Sequence, residues 1–403
     1  MNIVIVGHVD HGKSTLIGRL LFDTNSIPKS IFEEVKQVCE ELGKKVEFAY
    51  LLDSLEEERE QNVTVDTTQI FFKTSNRSYV IIDAPGHKEF LKNMITGASQ
   101  AEAAILIVDV NEGVQEQTKR HAYILSMLGL KQVIVVLNKM DIVNYDKVKF
   151  NKIKEDIIKF LNKLNITPKY IVPISAIKGD NITKKSKNMP WYNNLSVLEA
   201  LDTLNTKETL SNKPLRLPVQ DVYKIDDKRI LVGRIEAGKL RQYDDIIFFP
   251  SNKKSKIKSI EVWNKNKKEA QTGESIGVTL NDPLFVQRSE IICSHPLPKI
   301  TNKFEANIFW MSNKLININE KLILKCATQE TVCILEKIKK KINSSTLEII
   351  DKNCDNLQET EVGNVVIKTE KPIVIEKFIN VEGLGRFVIV KNDDTVAGGI
   401  ILK

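Results

Sequence analysis

Short β-branched runs alternate with helix-capable stretches over the first half of the chain, and this alternation stops near residue 210. Asn2-Ile3-Val4-Ile5-Val6 is an apolar run long enough for one buried strand, and Thr15–Leu21 beyond it reads as a helix start. Ser30-Ile31-Phe32-Glu33 is a capping box. Ile31, Val35, Val38, Cys39 and Leu42 then fall on one helical face, which Gly43 closes. Gln69–Lys73 and Tyr79–Ile82 are expected strands joined by the polar turn Ser75-Asn76-Arg77. The alternation continues with strand Ala104–Asp109, helix Gln115–Leu128, strand Gln132–Leu137 and strand Tyr170–Ile174.

Beyond the linker Asn212-Lys213-Pro214 the helical period largely disappears. Val219–Tyr223, Ile230–Ile235, Ile246–Phe249, Lys256–Trp263 and Ser275–Leu280 are short strands separated by turn signals, a spacing that suggests a small closed barrel. His295-Pro296-Leu297-Pro298 marks a second boundary, after which Lys303–Trp310, Lys321–Cys326, Thr331–Lys337, Glu361–Lys368, Phe387–Val390 and Thr395–Leu402 give a second β-domain. The expected architecture is an α/β domain over residues 1–210, with a mostly parallel sheet flanked by helices. Two antiparallel β-barrel domains follow, at 213–297 and 300–403.

Composition narrows the class. The chain has 403 residues, 42% apolar and 28% charged, which describes a globular protein of two or three domains. No apolar run approaches the length of a membrane span, and the chain opens on a core strand rather than a leader, so a cytoplasmic protein is expected. The five cysteines are scattered and lack metal spacing, which fits reduced packing residues. The net charge of +7 is spread over short lysine clusters rather than one basic arm, so nucleic acid is not expected as a partner.

The chemistry is concentrated where strands end. Gly7-His8-Val9-Asp10-His11-Gly12-Lys13-Ser14-Thr15 fits G-x-x-x-x-G-K-[ST] between a strand and a helix. The glycines let backbone N–H groups turn toward an anion, and the helix N-terminus adds its positive dipole end. Lys13 would reach the β- and γ-phosphates, and the Ser14 hydroxyl would sit on Mg²⁺. The Tyr79–Ile82 strand runs into Asp83-Ala84-Pro85-Gly86-His87. Asp83 stands where a carboxylate holds Mg²⁺ through water, Gly86 lets a backbone N–H approach a γ-phosphate, and His87 is a titratable group set where an attacking water would lie. The polar segment Leu55–Thr68 between phosphate loop and next strand is a candidate switch, in which Thr64 closes on the metal when a γ-phosphate is present.

Asn138-Lys139-Met140-Asp141 ends the Gln132–Leu137 strand and reads as a base site. A carboxylate at Asp141 can accept both the ring N–H and the exocyclic amine of guanine, a pair adenine does not offer. Asn138 would bond the base and brace the loops, the Lys139 stem would lie along the base face, and the backbone N–H groups of Ser175-Ala176-Ile177 would meet the guanine O6. Four such loops in order at strand ends define a GTPase with GTP and Mg²⁺ as its ligands.

These motifs resemble the translation-factor GTPases of the elongation factor Tu class across the whole chain. More narrowly, Phe48–Glu58, Val65–Ile70, Glu112–Gln117, Asn188-Met189-Pro190-Trp191-Tyr192 and Gln220-Asp221-Val222-Tyr223 are similar to the GTP-binding large subunits of bacterial sulfate adenylyltransferases. That resemblance implies GTP hydrolysis driving adenylyl sulfate formation on a separate small catalytic subunit. It also implies that Val9 and Val63 form an apolar gate that His87 must pass, although Asn62 stands where that family has glycine and Val63 where it has isoleucine. The competing reading is an elongation factor Tu-like carrier of aminoacyl-tRNA. The GTPase motifs do not separate the two, whereas the short hairpin Ile225–Ile230 and the Asp66-Thr67-Thr68-Gln69 run favour the sulfate reading.

Overall fold

A computed structural model describes residues 1–27, 33, 37, 48, 69–83, 101–205, 210–225, 228–262 and 265–403. Two compact units result, Met1–Lys207 and Glu208–Lys403.

The first unit is built on a six-stranded sheet in the order β2-β3-β1-β4-β5-β6. Its strands are β1 (Asn2–Gly7), β2 (Gln69–Lys73), β3 (Ser78–Asp83), β4 (Ala103–Asp109), β5 (Val133–Asn138) and β6 (Tyr170–Pro173). All neighbours are parallel except the β2–β3 hairpin. Four of the helices matter here: α1 (Lys13–Asp23), α2 (Glu116–Met127), α3 (Lys147–Lys163) and α4 (Val197–Asp202). β4 and β5 are apolar at almost every position because both of their faces are buried. Ile3, Ile5, Ile105, Ile107, Ile134 and Val136 meet Leu16, Ile17 and Leu20 of α1 and Val197, Ala200 and Leu201 of α4 in one core. The alternate positions Val4, Val6, Leu106, Val108, Val135 and Leu137 are equally buried and point to the opposite face, and α2 packs against β1 and β4.

The expected elements of this unit recur within two residues at each end. The exceptions are α3 and α4, which the hydrophobic reading does not name. α3 is the longest helix among the described residues, and only Phe150, Ile153, Ile157, Phe160 and Leu161 are buried along it. A stripe that narrow is diluted by the lysines between. Asp146 caps it, accepting from the Val148 N–H at 2.7 Å. The expected helix over Ile31–Leu42 and the switch Leu55–Thr68 lie outside the described residues, apart from Glu33 and Gln37.

The second unit is built on two seven-stranded sheets with only antiparallel pairings, accompanied by two two-stranded ones. In the first large sheet, β10-β15-β7-β8-β14-β11 closes through β10–β11, with β12 (Lys265–Lys267) added at the side. Its main strands are β7 (Arg216–Ile225), β8 (Lys228–Arg234), β10 (Asp245–Phe249), β11 (Lys253–Val262), β14 (Ser275–Leu280) and β15 (Ile291–Cys293). In the second, β18-β23-β24-β16-β22-β19 closes through β18–β19, and β20 is added. It contains β16 (Lys299–Trp310), β18 (Leu322–Cys326), β19 (Gln329–Asn343), β20 (Ile349–Cys354), β22 (Glu361–Ile375), β23 (Arg386–Lys391) and β24 (Asp394–Ile401). Closure removes free edges from each barrel, and each encloses its own apolar core. Cys293, Cys326 and Cys333 are buried free thiols whose pKa burial pushes up to about 12, so they pack rather than react.

Candidate functional site

The parallel strands of the first unit bring their C-terminal ends to one edge, where the loops at 8–12, 138–141 and 175–177 lie. The registers Gly7↔Ile107 and Asp109↔Asn138 set the phosphate loop, the end of β4 and the NKxD loop side by side. Residues 8–12 turn from β1 into α1, with Asp10 at φ +61° and Gly12 at φ +89°. Gly12 is required twice over. Its φ is left-handed, and a Cβ there would lie 2.4 Å from Asn138 Nδ2.

Lys13 folds back over its own loop, donating to the carbonyls of His8 at 2.9 Å and Gly7 at 3.1 Å. Burial lowers its pKa, and the carboxylates of Asp83 and Asp10 oppose that shift. A half-buried ammonium folded over a glycine-rich loop is a site that an anionic ligand completes. His11 is fully buried. Its Nδ1 accepts from the Asp109 N–H at 3.2 Å and its Nε2 lies 3.3 Å from Glu112 Oε2. The backbone donor assigns the proton to Nε2, which points it at Glu112. The His8 and His11 rings meet edge to face at 5.0 Å. The Val9 N–H points at Gln117 Oε1 at 3.5 Å, and Ser14 and Thr15 form the first turn of α1.

Asp83 ends β3 at the level of Ile5 on β1, the strand that feeds the phosphate loop. The Ser14 hydroxyl and the Asp83 carboxylate are hard oxygen donors, the type Mg²⁺ takes together with water and phosphate oxygens. Ala84, Pro85, Gly86, His87, Val63 and Thr64 lie outside the described residues.

The base loop is tied to the phosphate loop. Asn138 Nδ2 donates to the His11 carbonyl at 2.9 Å, and its Oδ1 accepts from the Ala176 N–H at 3.0 Å. Lys139, at φ +64°, reaches Asp109 with its ammonium at 2.7 Å. Met140 is buried and fixed by an N–H bond to the Ile174 carbonyl at 3.0 Å, which leaves the half-buried Asp141 on the rim. Of the three expected N–H donors at Ser175-Ala176-Ile177, the first goes to the Asp180 carbonyl and the second to Asn138. The Ile177 N–H has no acceptor among the described residues. Sequence reasoning missed Asp109, Glu112, Tyr145 and Asp180, whose partners are distant in sequence. An acid ending a buried strand, as Asp109 does, was the available signal.

Glycine-rich loop, carboxylate-ended strand and NKxD loop on the carboxyl edge of a parallel sheet define a guanine-nucleotide-binding domain. Residues 1–207 match the elongation factor Tu GTP-binding domain family, and residues 303–402 match the GTP-eEF1A C-terminal domain-like family. Elongation factor 1-alpha of Pyrococcus horikoshii is 40% identical over 420 residues, covering 100% of this chain and 97% of that protein. Those of Archaeoglobus fulgidus and Methanocaldococcus jannaschii are each 39% identical with the same coverage. Solved structures of sup35 with GDP and with GMPPNP align over the whole chain at 24% and 25% identity and a TM-score of 0.47, too low to add to the assignment. The chain belongs to the elongation factor Tu-like GTPase family, which uses GTP and Mg²⁺.

Two expectations are thereby overturned. Full-length relatives named elongation factor 1-alpha contradict the sulfate adenylyltransferase reading, and with it the small catalytic subunit as partner. The expectation against nucleic acid falls with them. The physical reason is that phosphate, metal and guanine make the same demands in either protein. A segment that pointed to sulfate activation, Asn188–Tyr192, holds the base loop: Trp191 Nε1 donates to the Tyr145 carbonyl at 3.1 Å. Among the described residues no helix is long and apolar enough to cross a membrane.

Proposed function

We propose that this chain is a cytoplasmic translation GTPase that carries aminoacyl-tRNA in its GTP-bound state. Whole-chain identity of about 40% to proteins named elongation factor 1-alpha carries the reading. Charge placement supports it. Lys340 on β19 and Lys352 on β20 are exposed and stand directly opposite each other across the strands. Opposed like charges destabilise a sheet, and a phosphate backbone would relieve that repulsion.

In this reading Lys13 and the N–H groups of residues 8–15 hold the phosphates. Ser14, Thr64 and, through water, Asp83 hold Mg²⁺, which neutralises charge between the β- and γ-phosphates when bound. Asp141 reads guanine, with the Ile177 N–H toward O6 and Asn138 bracing both loops. Gly86 senses the γ-phosphate, and His87 orients the attacking water past the apolar pair Val9 and Val63. The domain limits are 1–210, 213–297 and 300–403. Filter binding of aminoacyl-tRNA to the GTP-loaded protein tests the proposal. Affinity is expected to fall steeply and linearly on a log–log plot against salt, as phosphate contacts require. Binding absent at low salt would refute it.

A further inference from the structure

The NKxD loop is strained and is held from outside. Lys139, Asn144 and Tyr145 adopt φ of +64°, +51° and +57°. A left-handed backbone is unfavourable for a residue with a Cβ and persists where its surroundings over-determine it. Inside the loop the Tyr145 N–H donates to the Met140 carbonyl at 2.8 Å and the Asn144 N–H to the Asp141 carbonyl at 3.2 Å.

The outer restraints on Tyr145 come from residues 180–191. Its hydroxyl donates to Asp180 Oδ2 at 2.9 Å, and Asn188 Nδ2 lies 3.3 Å from the same hydroxyl. Trp191 holds the Tyr145 carbonyl and packs on Phe150 of α3 with ring centres 5.2 Å apart. Asp180 is itself pinned. Its Oδ1 accepts from Ser186 Oγ at 2.5 Å and Asn188 Nδ2 at 3.2 Å, and its backbone bridges that of Ser175 in both directions. One residue therefore links the two loops, its backbone pairing with the turn at 175–177 and its carboxylate holding the loop that carries Asp141. Burial and the bond to Asp180 push the Tyr145 hydroxyl up to about 12, so it remains a donor at neutral pH.

We infer that Asp180, acting through the Tyr145 hydroxyl, is a positioning residue for guanine recognition that fixes the Asp141 carboxylate relative to the 175–177 backbone. This rests on the proposed role of Asp141. The base feature at stake is the exocyclic amine, which guanine has and hypoxanthine lacks. A general loosening of the domain weakens GDP and IDP alike, whereas a displaced Asp141 loses the amine contact and weakens GDP selectively.

The test is titration of GDP and IDP against wild type, Asp180→Ala, Tyr145→Phe, the double variant and Asp141→Asn, each checked for folding by thermal melting. Asp180→Ala should reduce the GDP-over-IDP preference by about tenfold, the scale of one lost hydrogen bond to a charged group. Tyr145→Phe should act in the same direction, and Asp180→Ala should add little once Tyr145 is Phe. If Asp180→Ala does not fold, Tyr145→Phe and Asp180→Asn decide the matter. An unchanged preference in the folded Asp180 and Tyr145 variants, alongside a lost preference in Asp141→Asn, overturns the positioning role alone. An unchanged preference in Asp141→Asn overturns the base-site reading and the inference with it.

Discussion

Asn138 Nδ2 donates to the His11 carbonyl at 2.9 Å, so a side chain from the base loop holds the backbone of the phosphate loop. Its other end accepts from the Ala176 N–H at 3.0 Å, and the residue is 2% exposed. Asn138→Ala would leave two buried backbone groups unpaired, at about 1–3 kcal/mol each. Its melting temperature and its GDP affinity should therefore fall together, the latter by about tenfold or more. Calorimetric melts with and without GDP check this; a variant that melts and binds as wild type does would remove the brace.

Asp141→Asn replaces an acceptor with a donor opposite the guanine amine. GTP should weaken by about 2–4 kcal/mol, and XTP, with a carbonyl in place of the amine, should bind the variant better than GTP does. Competition titration with the two nucleotides reads the switch directly.

Acid should destabilise the GTP-binding unit through His121. This residue is 1% exposed on α2, and burial, followed by the nearby Lys13, His8 and Arg120 charges, lowers its pKa from 6.5 to about 3. The unfolded chain thus takes up its proton first as pH falls. Its contribution is complete above pH 6.5 and is lost progressively toward pH 3. Between about pH 4 and 6 it should steepen the loss of stability by about 1.4 kcal/mol per pH unit. Denaturant unfolding across that range should give a shallower slope for His121→Gln; equal slopes would show that the folded protein accepts the proton there.

His87→Ala addresses the water. Lys13, Ser14, Thr64 and Asp83 account for charge and metal in the proposed site, which leaves the nucleophile to be oriented by another group. The contact forms mainly in the transition state, so GTP affinity should stay nearly unchanged while hydrolysis falls by about 10²–10⁴. Single-turnover hydrolysis equal to wild type would assign the water to a different residue.

Much of this was legible in the sequence because period and loop chemistry agree. The continuous apolar runs of β4 and β5, short and rich in β-branched residues, read as strands buried on both faces, and the phosphate and NKxD loops follow strand ends. The Asn138 brace followed from residue type and position. What escaped was long-range or diluted. The Lys139 ammonium finds Asp109, thirty residues upstream, and Tyr145 finds Asp180. β19 and β22 run to 15 residues, well beyond the expected segments, because lysines and bulges break the alternation of one and a polar, exposed stretch interrupts the other. The partner could not be read from these loops, because phosphate, metal and guanine make the same demands in a sulfate-activating and in a translation GTPase, and resemblance at Asn188–Tyr192 led toward sulfate activation.

A GTP-dependent hold on aminoacyl-tRNA shows itself as protection of the aminoacyl ester from spontaneous hydrolysis. Aminoacyl-tRNA is incubated with the protein loaded with GTP and Mg²⁺, or with GDP and Mg²⁺, and the surviving ester is followed over time. Ester loss should be slow with the GTP form and near the free rate with the GDP form, corresponding to affinities that differ by about tenfold or more, a coupling of about 1.4 kcal/mol. Equal ester lifetimes with GTP, with GDP and without protein would contradict it.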